Sequence, residues 1–368
     1  MTGRTTRRTF LPISGLLLAS PSLGACGGGA QPAPPVGGRP SGGQGTALTG
    51  AGATFPYPLY SKWFDVYQQV TGVRINYQSI GSGGGIRQIL ERTVDFGASD
   101  APMTDEQLAA APGPIIHLPT VIGAVVVTYN LPGVTGPLRL TPEAVAAIFL
   151  GEVRKWNDAR IAQLNPSVTL PASDIAVVYR SDGSGTTNIF TDYLSSVSAS
   201  WKERVGKGTS VSWPVGLGAR GNEGVTGQVK QLPGTIGYVE LAYAVQNKLP
   251  AAALQNQAGR FVEPALGSTT AAAAGAAGRM PEDLRVSIVN APGEQSYPIA
   301  GFTYLLVYRE QADQAKGKAL VDFLWWALHD GQRYAPDLHY APLPAEVVRK
   351  AEAKVKEITF QGRRLRGA

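Results

Sequence analysis

Apolar and polar positions along this chain switch between two periods. Val73 to Gln78 alternates residue by residue, as a half-buried strand does. Ile86 to Thr93 instead puts Ile86, Ile89 and Leu90 on one helical face. Val94 to Ala98 reads as a short strand. Val121 to Tyr129 is a near-continuous apolar run, as expected of a strand buried on both faces. Ile175 to Tyr179 and Phe302 to Tyr308 also read as strands. Thr141-Pro142-Glu143 combines a cap, a first-turn proline and a first-turn acid, and so predicts a helix ending near Leu150-Gly151. Helical spacing recurs in Thr186 to Val197, Glu223 to Leu232 and Lys316 to His329. Strands separated by helices of this size predict an α/β fold with largely parallel sheets. No internal repeat is visible. Residues 251–295 are rich in Ala and Gly and give no clear pattern.

The first 47 residues follow a different rule. Arg4, Arg7 and Arg8 precede a short, mostly apolar run from Leu11 to Ala19, then Ser20-Pro21 and small residues. Residues 1–25 therefore read as an export signal; the apolar run is shorter than the roughly 20 residues a membrane span needs. Thr6-Arg7-Arg8-Thr9-Phe10-Leu11 resembles the twin-arginine export motif, with Pro12 where a Lys is common. Leu23-Gly24-Ala25-Cys26 resembles the lipobox of bacterial lipoproteins, which implies lipidation of Cys26 and a membrane anchor. The remainder of 26–47 is almost entirely Gly, Pro, Ala, Gln and Ser, and cannot bury enough apolar surface to fold. It reads as a flexible tether with a mean reach of roughly 25 Å.

Composition narrows the chemistry. The 368 residues contain one Cys and three His, so an intrachain disulfide and a Cys-based zinc site are excluded. His117, His329 and His339 show no metal-site spacing, and no metal or cofactor is expected. The net charge of +6 could suggest a nucleic-acid partner. However, four of the 33 Lys and Arg (Arg4, Arg7, Arg8 and Arg39) lie in residues 1–47, which hold no acid. That leaves 29 basic against 27 acidic residues in the body, a net charge of only +2.

Four loops where strands hand over to helices share one character. They are Gly50-Ala51-Gly52-Ala53-Thr54-Phe55-Pro56, the glycine turn Gly81-Ser82-Gly83-Gly84-Gly85, Gly97-Ala98-Ser99-Asp100-Ala101-Pro102, and Arg180-Ser181-Asp182-Gly183-Ser184-Gly185-Thr186. Small residues let a ligand reach the backbone, helix starts offer free N–H groups to an anion, and hydroxyls add donors. Arg180 adds a charged fork. Any one of these loops alone could be an ordinary turn and helix cap; four with one logic point to an anion site. Enzyme fingerprints fit worse. The run from Gly81 lacks the third glycine of G-x-G-x-x-G, because Ile86 stands there. Asp182 occupies the first position of a G-x-S-x-G frame around Ser184, and no His lies in these loops.

The segments Gly50–Pro56, Val94–Pro102 and Arg180–Thr186 closely resemble the periplasmic phosphate-binding proteins of Pst-type ABC transporters. So do Pro119–Gly123, Trp213–Gly218, Pro233–Tyr238 and Asp337–Ala341. The resemblance covers nearly all of 48–345 and is thinnest at 251–295. It implies a two-lobed periplasmic-binding-protein fold of type II. One lobe would be 48–122 with 301–368, the other 123–300, and a hinge would join them. It implies a non-enzymatic monomer that closes over one inorganic phosphate and hands it to an ABC permease. Thr54 and Phe55 would donate at a helix start, Phe55 through its backbone N–H. Ser82 would give its hydroxyl and amide, and Asp100 would accept a proton-bearing phosphate oxygen. Arg180 would pair with the anion, Asp182 would hold the guanidinium, and Ser184, Gly185 and Thr186 would donate at the next helix start. Gly83 stands where the family often has a second serine, so no hydroxyl is expected there. Alternatives are a receptor for another oxyanion, such as sulfate or molybdate, and an enzyme acting on phosphate esters.

Overall fold

The computed structural model describes residues 46–367 apart from Thr135 and Arg279. The export signal, Cys26 and all but the end of the tether lie outside the described residues. Thirteen strands follow in chain order among the described residues: β1 (Ala47–Gly52), β2 (Arg74–Ser79), β3 (Phe96–Ser99), β4 (Ile115–Asn130), β5 (Arg139–Leu140), β6 (Ala176–Arg180), β7 (Leu217–Ala219), β8 (Thr235–Glu240), β9 (Ala253–Gln255), β10 (Phe261–Val262), β11 (Ala300–Tyr308) and the short pair β12 (Thr359–Phe360) and β13 (Arg363–Arg364). Eight of them form one hydrogen-bonded sheet in the order β2-β1-β3-β11-β4-β8-β6-β7, and β10-β9-β5 form a small second sheet.

Strand β4 organises the molecule. Its first part, Ile115 to Ala124, pairs antiparallel with β11; from Val125 to Asn130 it pairs with β8 instead. The sheet is thus two halves sharing one 16-residue strand. Each half packs its own aromatic core. In the first, Tyr60, Phe64, Tyr77, Phe96 and Phe323 cluster around the helix Tyr57–Thr71. In the second, Tyr238 stacks on Phe190 at 4.4 Å between ring centroids and on Trp213 at 5.5 Å. Aromatic pairs of this kind add about 0.5–1.5 kcal/mol each beyond the area they bury. Two aromatic clusters, one on each side of a shared strand, give a two-lobed α/β fold.

The large sheet is mixed and mostly parallel, as expected: pairing is parallel for β1–β2, β1–β3, β6–β8 and β6–β7, and antiparallel wherever β4 or β11 takes part, because these two strands run back across the sheet. The structure departs from the sequence-based expectations in two places. β4 starts six residues before the apolar run; His117 and Pro119 break the pattern there without breaking the strand. Finally, Ser82 to Gly85 are not a turn but the first turn of the helix Ser82–Leu90. Only Gly81 takes a positive φ, of 89°. Glycine inside a helix costs roughly 1 kcal/mol relative to alanine. At Gly85 close packing requires it: a Cβ would sit 2.6 Å from Gly52 Cα and 2.7 Å from the carbonyls of Ala51 and Ala98.

Candidate functional site

The C-terminal ends of β1, β3, β6 and β7 and the helix starts that follow them converge where the two halves meet. This is the position at which open α/β sheets offer a ligand crevice. Eight of the nine candidate residues lie within this polar cluster or line its wall. Thr54, Ser82, Asp100, Arg180, Ser184 and Thr186 are all at most 3% exposed. So many buried polar groups must find partners.

The Arg180 guanidinium is forked onto Asp182, with Nε 2.8 Å from Oδ1 and Nη2 2.6 Å from Oδ2. Asp182 Oδ1 also accepts the Gly221 backbone N–H at 3.0 Å. Burial opposes ionisation of Asp182, but the guanidinium outweighs it and holds the carboxyl below its ordinary range. The Arg180 backbone N–H donates to the Tyr238 hydroxyl, which fixes the strand end. The fork leaves Nη1 pointed at the Thr186 hydroxyl, at 3.3 Å.

Three hydroxyls bridge the cluster. Ser82 Oγ accepts N–H groups from Asp100 at 3.2 Å and Gly185 at 3.0 Å. Thr54 Oγ1 accepts both N–H groups of Asn222, and Thr186 Oγ1 accepts from Asn222 and Arg180. Ser184 Oγ caps the helix Gly185–Val197 through the Thr187 N–H. The Gly185 N–H, expected to face a ligand, donates to Ser82 instead. Its lack of a side chain matters directly, since a Cβ there would collide with Asp100 Oδ2 and Ser82 Oγ. Phe55 sits at the rear with its ring against Gly123; its carbonyl accepts from Tyr340, and the Thr54 carbonyl accepts from Tyr243.

Several of these contacts cross between the halves. Gly83 N–H donates to Gly183 O at 2.9 Å, and a Cβ on Gly83 would come 3.1 Å from Gly183 Cα. Glycine at 83 therefore allows this tight approach of backbone on backbone. With the Gly185–Ser82 and Asn222–Thr54 contacts, it describes a closed cleft. A cavity of about 650 Å³ reaches Asp100 from outside, lined in part by Asn188, Ser287 and Phe302.

Asp100 is the anomalous group. One oxygen accepts the Thr303 hydroxyl at 2.8 Å; the other lies near Gly185. Burial pushes its pKa from 3.8 up to about 7, against the lowering influence of Thr303, Arg180 and Ser82. The folded state therefore holds this proton more tightly than the unfolded chain. Stability is lost as pH rises from 3.8 to about 7 and is level above that. Ligand-free Asp100→Asn protein is accordingly expected to melt above wild type at pH 8, with the gap shrinking toward pH 4. Melting curves at both pH values check this, and a gap independent of pH would contradict it.

Glu240 is also wholly buried, paired with Val125 where β4 changes partner. Burial lifts its carboxyl well above the ordinary range. The proton count agrees: the Tyr340 hydroxyl has one hydrogen but contacts both Phe55 O and Glu240 Oε2, so a protonated Glu240 donating to Tyr340 satisfies both contacts.

Sequence reasoning missed Gly221, Asn222 and Thr303. The first two open the helix Gly221–Gln231 directly after β7, at a fifth strand-to-helix junction that, unlike the other four, carries no run of small residues and hydroxyls. Thr303 is a hydroxyl within the apolar strand β11, and its partner is 203 positions away.

A family model described as the PBP superfamily domain matches residues 37–329. A phosphate-binding protein PstS of Xylella fastidiosa (strain 9a5c) is 50% identical over 307 residues, covering 83% of this chain and 84% of that protein. A phosphate-binding protein PstS of Methanocaldococcus jannaschii is 38% identical over 377 residues, covering 94% of this chain and 95% of that protein. Among solved structures, a high-affinity periplasmic phosphate-binding protein with phosphate bound has a TM-score of 0.66 at 23% identity, covering 84% of this chain and 93% of that one.

Proposed function

The chain belongs to the PBP superfamily and, within it, to the PstS phosphate-binding proteins; on that premise we propose that it binds one inorganic phosphate in the cleft and delivers it to a Pst-type ABC permease. The observation that carries this reading is a buried carboxyl facing a set of donors. Arg180 and the hydroxyls of Thr54, Ser82, Ser184 and Thr186 suit an oxyanion, whereas an ionised Asp100 suits only one that still carries a proton. Phosphate near neutral pH does. Sulfate and molybdate do not, so the other-oxyanion alternative fits less well.

In this reading Thr54, Ser82, Ser184 and Thr186 donate through their hydroxyls, and Thr54, Phe55 and Ser82 through N–H groups at helix starts. Arg180 pairs with the anion while Asp182 holds its fork. Gly185 takes part through Ser82, whose hydroxyl it holds. Charge-assisted bonds of about 1.5–3 kcal/mol each, less desolvation and ordering, make tight binding plausible without a metal. The lobes are residues 48–122 with 301–368 and residues 123–300, a division supported by the change of partner along β4 after Ala124. The receptor is proposed to act as a monomer.

The protein is further proposed to be non-enzymatic, exported, and lipid-anchored at Cys26 on the periplasmic or cell-surface side of a membrane. The lipobox-like Leu23–Cys26 supports the anchor, and among the described residues no helix is long and apolar enough to cross a membrane. A Cys26→Ser protein that still fractionates with membranes would exclude that anchor. For the binding function, a competition screen of small anions against labelled phosphate is expected to leave phosphate displaced by phosphate far more readily than by sulfate or molybdate. Equal displacement by sulfate would reject the assignment. Turnover of a chromogenic phosphomonoester would favour the enzyme reading instead.

A further inference from the structure

The second residue of the helix Gly221–Gln231 has a side-chain amide that touches both halves of the cleft. Asn222 is fully buried. Its Oδ1 accepts the Glu240 backbone N–H at 3.0 Å. That contact settles which way the amide lies, since only the oxygen can face a donor. Nδ2 then presents its two hydrogens to two hydroxyls, Thr54 Oγ1 at 2.8 Å and Thr186 Oγ1 at 3.0 Å. Thr54 belongs to the first half of the sheet and Thr186 to the second.

A hydroxyl oxygen has two lone pairs and one hydrogen. Thr54 Oγ1 receives a second N–H, the Asn222 backbone amide at 3.2 Å. Thr186 Oγ1 receives a second one from Arg180 Nη1 at 3.3 Å. With both lone pairs occupied, each hydroxyl has only its hydrogen left to offer the cleft. Ser82 reaches the same condition through backbone N–H groups alone, from Asp100 and Gly185.

We infer that Asn222 is a positioning residue for anion recognition: its side-chain amide fixes the Thr54 and Thr186 hydroxyls as donors toward the ligand and links that orientation to closure of the cleft. The inference rests on the reading of this cleft as the phosphate site. Without Nδ2, each hydroxyl regains a free lone pair and can rotate it toward the anion. A carboxylate in the same place would do more harm, because it would accept from both hydroxyls and draw their hydrogens away. The Nδ2 contact to Thr54 crosses the cleft and is made only when the halves meet, so its loss should fall mainly on the dissociation rate.

The test measures phosphate affinity and dissociation rate in wild type, Asn222→Ala and Asn222→Asp, each also combined with Thr54→Val. Hydrogen bonds to a charged group are worth enough that Asn222→Ala should weaken phosphate about tenfold or more, chiefly through faster release. In the Thr54→Val background, where one of the two oriented hydroxyls is gone, the loss should be at least about threefold smaller. Asn222→Asp keeps an acceptor for the Glu240 N–H and serves if the alanine variant does not fold; its expected loss is on the order of 100-fold. Unchanged affinity in a folded variant would overturn the inference. So would an equal loss with and without the Thr54 hydroxyl, which would make Asn222 merely structural. A wild-type protein that does not bind phosphate would instead reject the reading of the cleft, and this inference with it.

Discussion

Replacing Asp100 with Asn is expected to reduce the preference for phosphate over sulfate on the order of 10³-fold. A site built to accept one hydrogen from its ligand can reject an analogue lacking that hydrogen by about 10⁴–10⁵, because the buried acceptor is then left facing lone pairs. Asp100 is such an acceptor. It is 3% exposed, its Oδ1 is taken by Thr303, and its Oδ2 lies where Gly185 leaves room. Its pKa of about 7 adds a pH signature. Below that value a protonated Asp100 can itself donate to a fully ionised anion, so sulfate should bind wild type better as pH falls. Asparagine offers an N–H at every pH and should remove that dependence. Paired titrations with phosphate and sulfate at pH 5.5 and 8 provide the check. An unchanged phosphate-to-sulfate ratio in Asp100→Asn would take specificity away from this residue.

The second large effect concerns Arg180. Its guanidinium side chain is 1% exposed and forked onto Asp182. Losing two charge-assisted contacts to a bound anion corresponds to about 3–6 kcal/mol, or roughly 10²–10⁴ in affinity. Arg180→Met should therefore bind phosphate at least about 100-fold more weakly. It also leaves Asp182 largely buried without its cation, a change that typically costs 3–5 kcal/mol of stability (about that range when one partner of a buried pair is removed). Arg180→Lys retains the charge but cannot make the fork, and should fall between the two. Affinity by titration and stability by denaturant unfolding separate the two consequences. A folded Arg180→Met protein that binds phosphate within tenfold of wild type would remove Arg180 from the site.

Much of this site is local in sequence. Thr54, Ser82, Asp100 and the run from Arg180 to Thr186 each sit in a short segment of small residues, hydroxyls and a helix start. That chemistry can be recognised before any tertiary contact is known. Asn222 could not be recognised in this way. Its partners Thr54 and Thr186 are 168 and 36 residues away, and its loop carries no hydroxyl or charge pattern of its own beyond Arg220 and Glu223. The direction of β11 was hidden for a related reason: an apolar run states burial but not which way the strand points. The helical start at Ser82 was obscured by propensity. Three successive glycines read as a turn until Gly52 and Ala98 are seen packed against Gly85. The proposed anchor and tether, by contrast, rest on sequence alone, since residues 1–45 lie outside the described part of the chain.

The body carries a net charge of only +2, so in the proposed reading anion recognition rests on one buried guanidinium, oriented hydroxyls and backbone N–H groups rather than on surface charge. Titration calorimetry of phosphate into wild-type protein verified to be ligand-free tests that claim most directly. The account predicts saturable binding of one phosphate per chain with no metal added; the absence of a saturable heat with phosphate, from folded and ligand-free protein, would contradict it.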